Sequence, residues 1–295
     1  MNQIKLESML KEFFIEDIGD GDLSGESIFS KESQGTFQLL TKESGVFCGR
    51  DVITTGFSLI DPSAQIQVHV QDGERVKKGT VLAEITGSMQ GLLKAERVVL
   101  NLIQRLSGIA TLTTAAVAQT EGTTTKICDT RKTTPGLRML EKYAVRIGGA
   151  YNHRRGLYDA VMLKDNHIAF AGSIKQAVSK VRAALGHTVK IEVEIESKSQ
   201  LIEAIEAEAD IIMFDNRTPA EIQEWLPLVP SHIVTEASGG ITMENIRDYA
   251  ETGVEWISLG FLTHSYKALD ISAKVQEVSI EKGAQQGEYF TGIKG

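Results

Sequence analysis

The chain has 295 residues, of which 42% are hydrophobic, and its net charge is −8. This length suits one large core or a barrel with a smaller companion domain, while the acidic balance argues against general nucleic-acid binding and no stretch approaches the roughly 20 apolar residues of a membrane span. The two cysteines, Cys48 and Cys128, form no Cys-x-x-Cys pair, so we expect a cytoplasmic protein without a disulfide framework or a thiolate zinc site.

The first part of the chain, residues 1–110, is predicted to form an N-terminal α+β sandwich domain. Ser33 to Cys48 and Ile66 to Ile85 are expected to contribute antiparallel strands, since apolar residues alternate with polar ones and a turn signal separates the runs. Met89 to Leu106 carries apolar residues at helical spacing and predicts a helix. We expect Ser107-Gly108 to end that helix.

The second part, residues 111–268, alternates short apolar runs with helical stretches, which predicts parallel strands joined by right-handed crossovers. Each run ends abruptly in polar residues, the pattern of a (β/α) barrel whose active site lies at the strands' C-terminal ends. Six runs are clear, so we expect a barrel that is open or has fewer than eight strands. The runs are Lys126 to Cys128, Ala160 to Leu163, Val189 to Val193, Ile211 to Phe214, Ile233 to Thr235 and Trp256 to Leu259.

The stretches between these runs are expected to be helices. They are Ser173 to Leu185, Lys198 to Glu208, Thr218 to Trp225 and Thr242 to Thr252. The tail, residues 269–295, is expected to form a helix outside the barrel that packs on the first domain.

Basic residues concentrate between Lys126 and Lys164, a segment that contains nine Lys and Arg residues and only three acidic residues. This segment therefore has a net charge of +6, which leaves −14 for the rest of the chain. A basic segment inside an acidic protein favours a cavity for small polyanions. Solvated helix faces are the alternative, and they are the expected location of Arg138, Lys142 and Arg146, which are spaced four apart.

Several cations stand where the predicted strands end. The first run is followed by Asp129-Thr130-Arg131-Lys132, and the adjacent cations Arg131 and Lys132 suit a substrate with several carboxylates or phosphates. Lys164 follows the second run, and we expect its ammonium group at the barrel mouth. His153 and Arg154 lie in the loop before that run and can donate to the same ligand, although a solvated loop is the alternative.

Two acids and two glycine loops follow the later runs. Glu194 and Asp215 end consecutive strands, where neighbouring carboxylates can hold Mg²⁺ against phosphate oxygens; ion pairing with the basic segment is the alternative. Ser238-Gly239-Gly240 precedes a predicted helix, and Gly260 precedes Phe261 to Ser265. The glycines let backbone N–H groups approach a phosphate. Barrels often bind phosphate at their last two strand ends.

Taken together, the motifs resemble those of the quinolinate phosphoribosyltransferase family, the decarboxylating nicotinate-nucleotide pyrophosphorylases. The resemblance covers nearly the whole chain in order. Its motifs are Glu16 to Ser24, Ala95-Glu96-Arg97, Asn101 to Thr111, Asp129 to Thr133, Gly148 to Arg154, Lys164 to His167, Ser238 to Gly240 and Leu259 to Ser265.

The resemblance implies a pentosyltransferase of NAD biosynthesis that needs Mg²⁺. Quinolinate and phosphoribosyl pyrophosphate would give nicotinate mononucleotide, pyrophosphate and CO₂. It also implies a homodimer or higher homo-oligomer in which Arg97 comes from a neighbouring subunit. Catalytic roles would fall to Lys132, Lys164, Glu194 and Asp215, with Glu194 and Asp215 holding the metal. The substrate-binding residues would be Arg97, Thr130, Arg131, Lys132, His153, Arg154, Lys164, Glu194, Asp215, Ser238, Gly239, Gly260 and His264.

Two other interpretations stay open. A related phosphoribosyltransferase-like protein, of the type encoded with molybdate transport genes, keeps much of this motif order and uses another substrate. A barrel kept only for binding or regulation is the second, and it accounts less well for polar residues at every predicted strand end.

Overall fold

The structure is a computed structural model, and it describes residues 1–276. The strands are β1 (Gln34–Thr41), β2 (Gly45–Val46), β3 (Gln65–Val68), β4 (Arg75–Val76), β5 (Val81–Ser88), β6 (Lys126–Cys128), β7 (Val161–Leu163), β8 (Ile191–Ile195), β9 (Ile211–Asp215), β10 (Val234–Ser238), β11 (Trp256–Ser258) and β12 (Ile271–Val275). The α-helices are α1 (Gln3–Ile18), α2 (Leu23–Ile28), α3 (Arg50–Ile60), α4 (Met89–Ala118), α5 (Arg138–Ile147), α6 (Asp165–Ala171), α7 (Ile174–Ala184), α8 (Lys198–Glu206), α9 (Pro219–Trp225), α10 (Ile246–Ala250) and α11 (Phe261–His264).

The N-terminal part is built on a four-stranded antiparallel sheet in the order β12-β1-β5-β3. Alternate residues of β1 are buried, Phe37 and Leu39 among them, because one face of the sheet packs against helices. Helices α3 and α4 pack together and bury Ile53 and Phe57 of α3. The predicted N-terminal domain with an antiparallel sheet is confirmed.

The start of the tail is a strand, so the helix expected from residue 269 is wrong over Ile271–Val275. This segment alternates apolar with polar residues, a period of two that suits a strand. It pairs antiparallel with β1, from Thr41 opposite Ile271 to Phe37 opposite Val275. The chain therefore returns from the parallel sheet to the N-terminal sheet. Residues 277–295 of the predicted tail lie outside the described residues.

The second part is a six-stranded parallel sheet in the order β6-β11-β10-β9-β8-β7. All six predicted strands are present. The first strand lies beside the last, which is the order of a barrel with its seam between β6 and β7. Across residues 1–276, only the parallel bridge between Cys128 and Tyr151 lies next to that seam. The expected open barrel with fewer than eight strands is confirmed.

The crossover helices begin at side-chain caps. The hydroxyls of Ser173, Ser197 and Thr218 accept N–H groups in the first turns of α7, α8 and α9. Such caps satisfy backbone donors that have no partner within the helix. Ser197 and Thr218 thereby fix the ends of the short loops after β8 and β9, while Ser173 fixes the turn between α6 and α7.

Helix α4 is longer than predicted, because Ser107-Gly108 does not end it and the helix continues to Ala118. Both residues serve packing: the Ser107 hydroxyl bonds the backbone of Cys48, and a Cβ on Gly108 would lie 2.2 Å from the Lys267 carbonyl oxygen. The glycine therefore permits a close crossing of two chain segments. Among residues 1–276, no helix is both long and apolar enough to cross a membrane.

Candidate active site

A cavity of about 530 Å³ opens at the C-terminal ends of the parallel strands. It gathers ten of the thirteen predicted substrate-binding residues, which come from six different loops or strand ends. These ten are Thr130, Arg131, Lys132, His153, Arg154, Lys164, Glu194, Asp215, Ser238 and Gly239. We call it the site cavity.

Arg131 and Arg154 both line the site cavity, close enough for their positive charges to repel each other. Arg131 has a buried Nε that lacks a hydrogen-bond partner among the described residues. Burial, and after it the positive charge of Arg131, lowers the pKa of Arg154. A guanidinium pair under mutual repulsion, with an unused donor, favours a ligand that carries more than one negative charge.

Lys164 and Glu194 form an ion pair at the mouth of the site cavity. Lys164 is held at the start of α6, where its backbone N–H donates to His167 Nδ1 at 3.1 Å. Burial raises the pKa of Glu194, and the bond from Lys164 opposes that rise. The ion pairing considered as the alternative for Glu194 is therefore present.

The carboxylates of Glu194 and Asp215 share the cavity and repel each other, which adds to the raised pKa of Glu194. They come from adjacent strands, because β8 and β9 pair in parallel with Glu194 opposite Met213. Asn216 donates to Asp215 at 2.9 Å and orients it. Two carboxylates close together beside an anion-binding space are oxygen donors of the kind that Mg²⁺ prefers, so the residues present fit this ion.

The side chain of His153 contacts two buried acids, Glu192 and Glu236. Its Nε2 lies 3.1 Å from a Glu192 oxygen and 3.6 Å from Glu236 Oε1. Its Nδ1 accepts the Arg154 N–H at 2.8 Å, so both ring nitrogens are engaged within the protein. Burial tends to lower the pKa of His153, but the bond with Glu192 and the charge of Glu236 outweigh it and raise the pKa.

Glu236 lies inside β10, although the sequence pattern placed it at a strand end. Burial, followed by the charge of Glu192, raises the pKa of Glu236 to about 7. Its Oε1 has no hydrogen bond among the described residues. Ligand atoms of His153, Glu192 and Glu236 lie within 4.8 Å of one another, close enough for a cation or a shared proton to relieve the repulsion.

A buried ion pair supports the loop that carries His153 and Arg154. Asp129, fully buried just after β6, accepts from Lys142 Nζ at 2.5 Å and from the His153 N–H at 2.8 Å. Asn152 donates to the other oxygen of Asp129 at 2.8 Å. The expectation that Lys142 lies on a solvated helix face is wrong, since its side chain is 3% exposed. Arg146 is exposed and stacks on Tyr151.

The glycine loop after β10 brings backbone close to the cavity. Gly239 and Gly240 have φ of 83° and 66°, and a Cβ on Gly239 would lie 2.2 Å from Asn216 Oδ1. Glycine at 239 is thus required by both conformation and space. The helix predicted from Thr242 to Thr252 is shorter, Ile246–Ala250, so the glycine loop is separated from the helix start by several residues.

Gly260 and His264 lie at the edge of the site cavity, beside Lys132. A Cβ on Gly260 would be 2.9 Å from the Lys132 side chain and 3.1 Å from His264 Nε2. The Thr263 hydroxyl donates to the Lys132 carbonyl at 2.8 Å and ties the two loops together. A small residue at 260 therefore leaves room for Lys132 to reach the cavity.

Arg97 is the one predicted site residue that is remote from the site cavity within the chain. It is exposed on α4 and forms no salt bridge among residues 1–276. Its side chain is therefore available to another molecule.

Comparison with known proteins agrees with this geometry. Residues 22–107 match the N-terminal domain of quinolinate phosphoribosyl transferase, and residues 109–274 match the C-terminal domain of the same family. The chain belongs to the quinolinate phosphoribosyl transferase family. The two matches together cover both the N-terminal domain and the domain that carries the site cavity.

Relatives of this family member share most of its length. A probable nicotinate-nucleotide pyrophosphorylase [carboxylating] from Bacillus subtilis is 57% identical over 93% of the chain and 95% of the relative. Quinolinate phosphoribosyltransferase [decarboxylating] 1b from Nicotiana tabacum is 38% identical over 91% of the chain and 82% of the relative. The crystal structure of NadC from Streptococcus pyogenes has a TM-score of 0.90 and 41% identity, covering 94% of this chain and 98% of that one.

Four residues that shape the site had no role in the sequence interpretation: Asp129, Lys142, Glu192 and Glu236. All four are buried charges, and three lie on or directly after apolar runs. Charged side chains are almost never fully buried unless they are paired. A charge on or directly after a strand was therefore the signal that could have identified Asp129, Glu192 and Glu236, whereas Lys142 on α5 gave no such signal.

Proposed function

We propose that the chain transfers a phosphoribosyl group to quinolinate with decarboxylation, giving nicotinate mononucleotide, pyrophosphate and CO₂. Family membership and the names of the relatives support this reaction. The observation that carries it is the arginine pair, Arg131 and Arg154, which shares one cavity with the Gly239 loop. A dianionic aromatic acid and a phosphorylated sugar would each find matching charge.

Quinolinate binds with its two carboxylates toward Arg131, Arg154 and Lys164. The unused Arg131 Nε gains an acceptor, and the lowered pKa of Arg154 returns toward its ordinary value as the anion offsets the neighbouring positive charge. His153 holds the Arg154 backbone in place. The pyridine nitrogen is thereby directed at C1 of the ribose.

Phosphoribosyl transfer is a displacement at that carbon. The bond from C1 to the pyrophosphate oxygen breaks, its electron pair leaves with pyrophosphate, and the ring nitrogen forms the new bond to C1. The ribose gains oxocarbenium character on the way, as in glycoside cleavage. Lys132 at the cavity edge stabilises the departing charge, and the Gly239 loop holds the 5'-phosphate through backbone N–H groups.

Decarboxylation follows from the charge created by transfer. The N-ribosylated ring is a pyridinium, so the 2-carboxylate can leave as CO₂ while its electron pair stays on C2, next to the positive nitrogen. A proton from solvent then completes C2. No side chain needs to form a covalent bond with the substrate, and the protein's task is to hold and orient charge.

Mg²⁺ would be held by Glu194 and Asp215 and would neutralise negative charge on the pyrophosphate group. Lys164 pairs with Glu194, so the ammonium group and the metal would share this carboxylate. Full turnover in excess chelator would contradict a metal requirement. A cytoplasmic location stays a prediction from the composition.

The functional unit in this proposal is a homodimer or higher homo-oligomer in which Arg97 enters the site cavity of a second copy. The exposure of Arg97 supports it. So do large apolar residues on both sides of such a contact: Leu23 and Ile28 are exposed near α4, while Leu157 and Tyr158 are exposed beside the cavity loop. Exposed apolar groups of this kind mark interaction surfaces.

Complementation tests the shared site. Arg97→Ala and Lys164→Ala should each abolish turnover without unfolding the protein. Mixed dimers of the two variants should regain about a quarter to a half of the wild-type activity, since one of their two sites is intact. Absence of any recovery in mixed dimers of confirmed composition would contradict donation of Arg97.

Product analysis tests the reaction itself. Quinolinate labelled in its 2-carboxylate, with phosphoribosyl pyrophosphate and Mg²⁺, should release labelled CO₂ and nicotinate mononucleotide in equal amounts. Protein that bound phosphoribosyl pyrophosphate but consumed no quinolinate would instead belong to the related type with another substrate. Turnover that survives both Glu194→Ala and Asp215→Ala would remove the acids from the mechanism.

A further inference from the structure

One acidic feature of the N-terminal domain has no role in the proposed reaction. It is the segment Glu16 to Asp22, which spans the end of α1 and the turn that leads to α2, and which we call the acidic segment. Glu16, Asp17 and Asp20 are exposed, and none of them forms a salt bridge in the part of the chain that the structure describes. Asp22 caps α2 instead. Three carboxylates thus stand free beside the exposed Leu23.

A cavity of opposite character lies beside the site cavity. It has a volume of about 710 Å³, and we call it the basic cavity. Its lining includes Lys5, Arg138, Lys142, Arg146 and Arg155 and contains no Asp or Glu. Only Lys142 of these five is in a salt bridge within residues 1–276. Four cations that face one space without a counter-charge repel each other, so the basic cavity favours an anionic occupant.

Within one chain, over residues 1–276, the acidic segment forms no ion pair with the cations of the basic cavity. Lys5 lies near the start of α1 and Asp17 near its end. Twelve residues of α-helix hold them about 18 Å apart. Because α1 is rigid over this length, Asp17 does not reach Lys5 of its own chain, and a second molecule can supply the anionic occupant.

The two features lie next to the two halves of the proposed shared site. On one copy, Leu93 of α4 lines the hollow beside the acidic segment, and Arg97 follows one helical turn later on the same face. On the other copy, Asn152 lines the basic cavity while the adjacent His153 lines the site cavity. An approach that brings Arg97 to the site cavity therefore also brings the acidic segment toward the basic cavity.

We propose that the acidic segment of one copy docks in the basic cavity of a second copy and sets the position in which Arg97 enters the second copy's site. This inference rests on the proposed dimer and names the contact that orients it. Asp20 and its neighbours form charge-assisted bonds with Arg155 and Arg138. In a twofold dimer the contact occurs twice, once in each direction.

Charge reversal tests the contact. Asp20→Arg alone and Arg155→Glu alone should each raise the dimer dissociation constant at least about tenfold, measured by sedimentation equilibrium. The double variant restores opposite charges and should return to within about threefold of wild type. Lys180→Glu, which reverses an exposed cation on α7, is the matched control and should leave dimerisation unchanged. Singles that dimerise like wild type, or a double variant no better than either single, would overturn the proposal.

A second measurement uses the wild-type protein and does not depend on the folding of variants. Isotopically labelled and unlabelled protein are mixed, and a zero-length carbodiimide joins lysines to neighbouring carboxylates. Cross-links between Lys5 and the acidic segment should join labelled to unlabelled peptides, because the two groups are too far apart within one chain. Lack of such mixed cross-links in a population shown to be dimeric would contradict the docking.

The outcomes also separate this inference from the proposed reaction. Dimers rescued by the double variant without any turnover of quinolinate would uphold the contact and reject the reaction. Turnover by a wild-type monomer would do the reverse. Inorganic phosphate that binds wild type, fails to bind Arg155→Glu and leaves dimerisation unaffected would assign the basic cavity to a small anion, and the proposal would fall.

Discussion

The two ends of the site cavity are built in different ways. The end formed by Arg131, His153, Arg154 and Lys164, which we call the carboxylate side, presents charged side chains that rest on buried charges. The end formed by Ser238 to Gly240, which we call the phosphate side, presents backbone at positive φ. A ligand site made of side chains depends on residues that never touch the ligand. One made of backbone depends on the absence of a Cβ.

The largest effect is expected from removing the ion pair between Lys142 and Asp129, which supports the carboxylate side. Lys142→Met should lower the free energy of unfolding by about 3 to 5 kcal/mol, because Asp129 becomes a buried charge without a counter-charge. Urea unfolding measures this. The KM for quinolinate should rise while that for phosphoribosyl pyrophosphate stays near wild type, since the loop of His153 and Arg154 loses its anchor.

A second substitution separates positioning from general damage in that variant. Asp129→Asn in the Lys142→Met background removes the orphan charge and should recover part of the lost stability, but not the quinolinate KM. Equal losses for both substrates would mean that the ion pair supports the whole fold and not one side of the site.

A smaller effect on the carboxylate side is expected from the buried acids next to His153, and it appears in the pH dependence of stability. The pKa of Glu236 is about 7 in the folded chain, against an ordinary value of 4.5, so the folded state binds this proton more tightly than the unfolded state. Stability from this proton is complete below about pH 4.5 and is lost as the pH rises through about 7. Glu236→Gln keeps the shape without ionising. It should exceed wild type by only about 1 kcal/mol at pH 5 and by at most about 3 kcal/mol at pH 8.

Denaturation midpoints of the two proteins across pH 5 to 8 measure this difference. Parallel curves would mean that Glu236 does not carry a strongly raised pKa.

Removing a predicted quinolinate contact, the Arg154 side chain, tests the difference between the two sides and leaves the ion pair between Asp129 and Lys142 in place. Arg154→Ala should lower kcat/KM for quinolinate about 100-fold, since charge-assisted bonds contribute about 1.5 to 3 kcal/mol each. The dissociation constant of phosphoribosyl pyrophosphate should stay within about threefold of wild type. Lys180→Ala, on an exposed face of α7, serves as the control. An equal loss in phosphoribosyl pyrophosphate binding would remove the division into two sides.

The smallest effect is expected on the phosphate side, from a single methyl group. Gly239→Ala should weaken phosphoribosyl pyrophosphate binding about tenfold, equivalent to about 1.4 kcal/mol, because its Cβ would meet Asn216 at a positive φ. Gly240→Ala is the matched control: its φ is also positive, but nothing lies within 4 Å of its Cβ. Similar losses in both variants would point to backbone strain instead of the close approach.

The sequence predicted the parallel sheet well, because six apolar runs alternate with helical stretches and five of the runs are followed directly by a charged residue. It predicted the cavity-lining residues for the same reason, as chemistry at the end of a parallel strand faces one rim. These are local patterns that a periodicity can reveal.

What the sequence did not predict depends on contacts between distant segments. Lys142 has the spacing of an exposed helix face, and only the position of Asp129 makes it a buried partner. Gly108 looks like the end of a helix, but Lys267 passes so close that only glycine fits. The segment Ile271–Val275 forms a strand because it pairs with the free edge of β1. Each of these was decided by a neighbour more than ten residues away.

The most direct measurement compares quinolinate with nicotinate, which lacks the 2-carboxylate, as substrates of the same enzyme with phosphoribosyl pyrophosphate and Mg²⁺. If Arg131 and Arg154 form a two-carboxylate clamp, kcat/KM for quinolinate should exceed that for nicotinate at least about 100-fold. Nicotinate lacks the 2-carboxylate, so charged donors of the clamp stay unpaired when it binds. Nicotinate used as well as quinolinate would contradict the clamp and, with it, the proposed reaction.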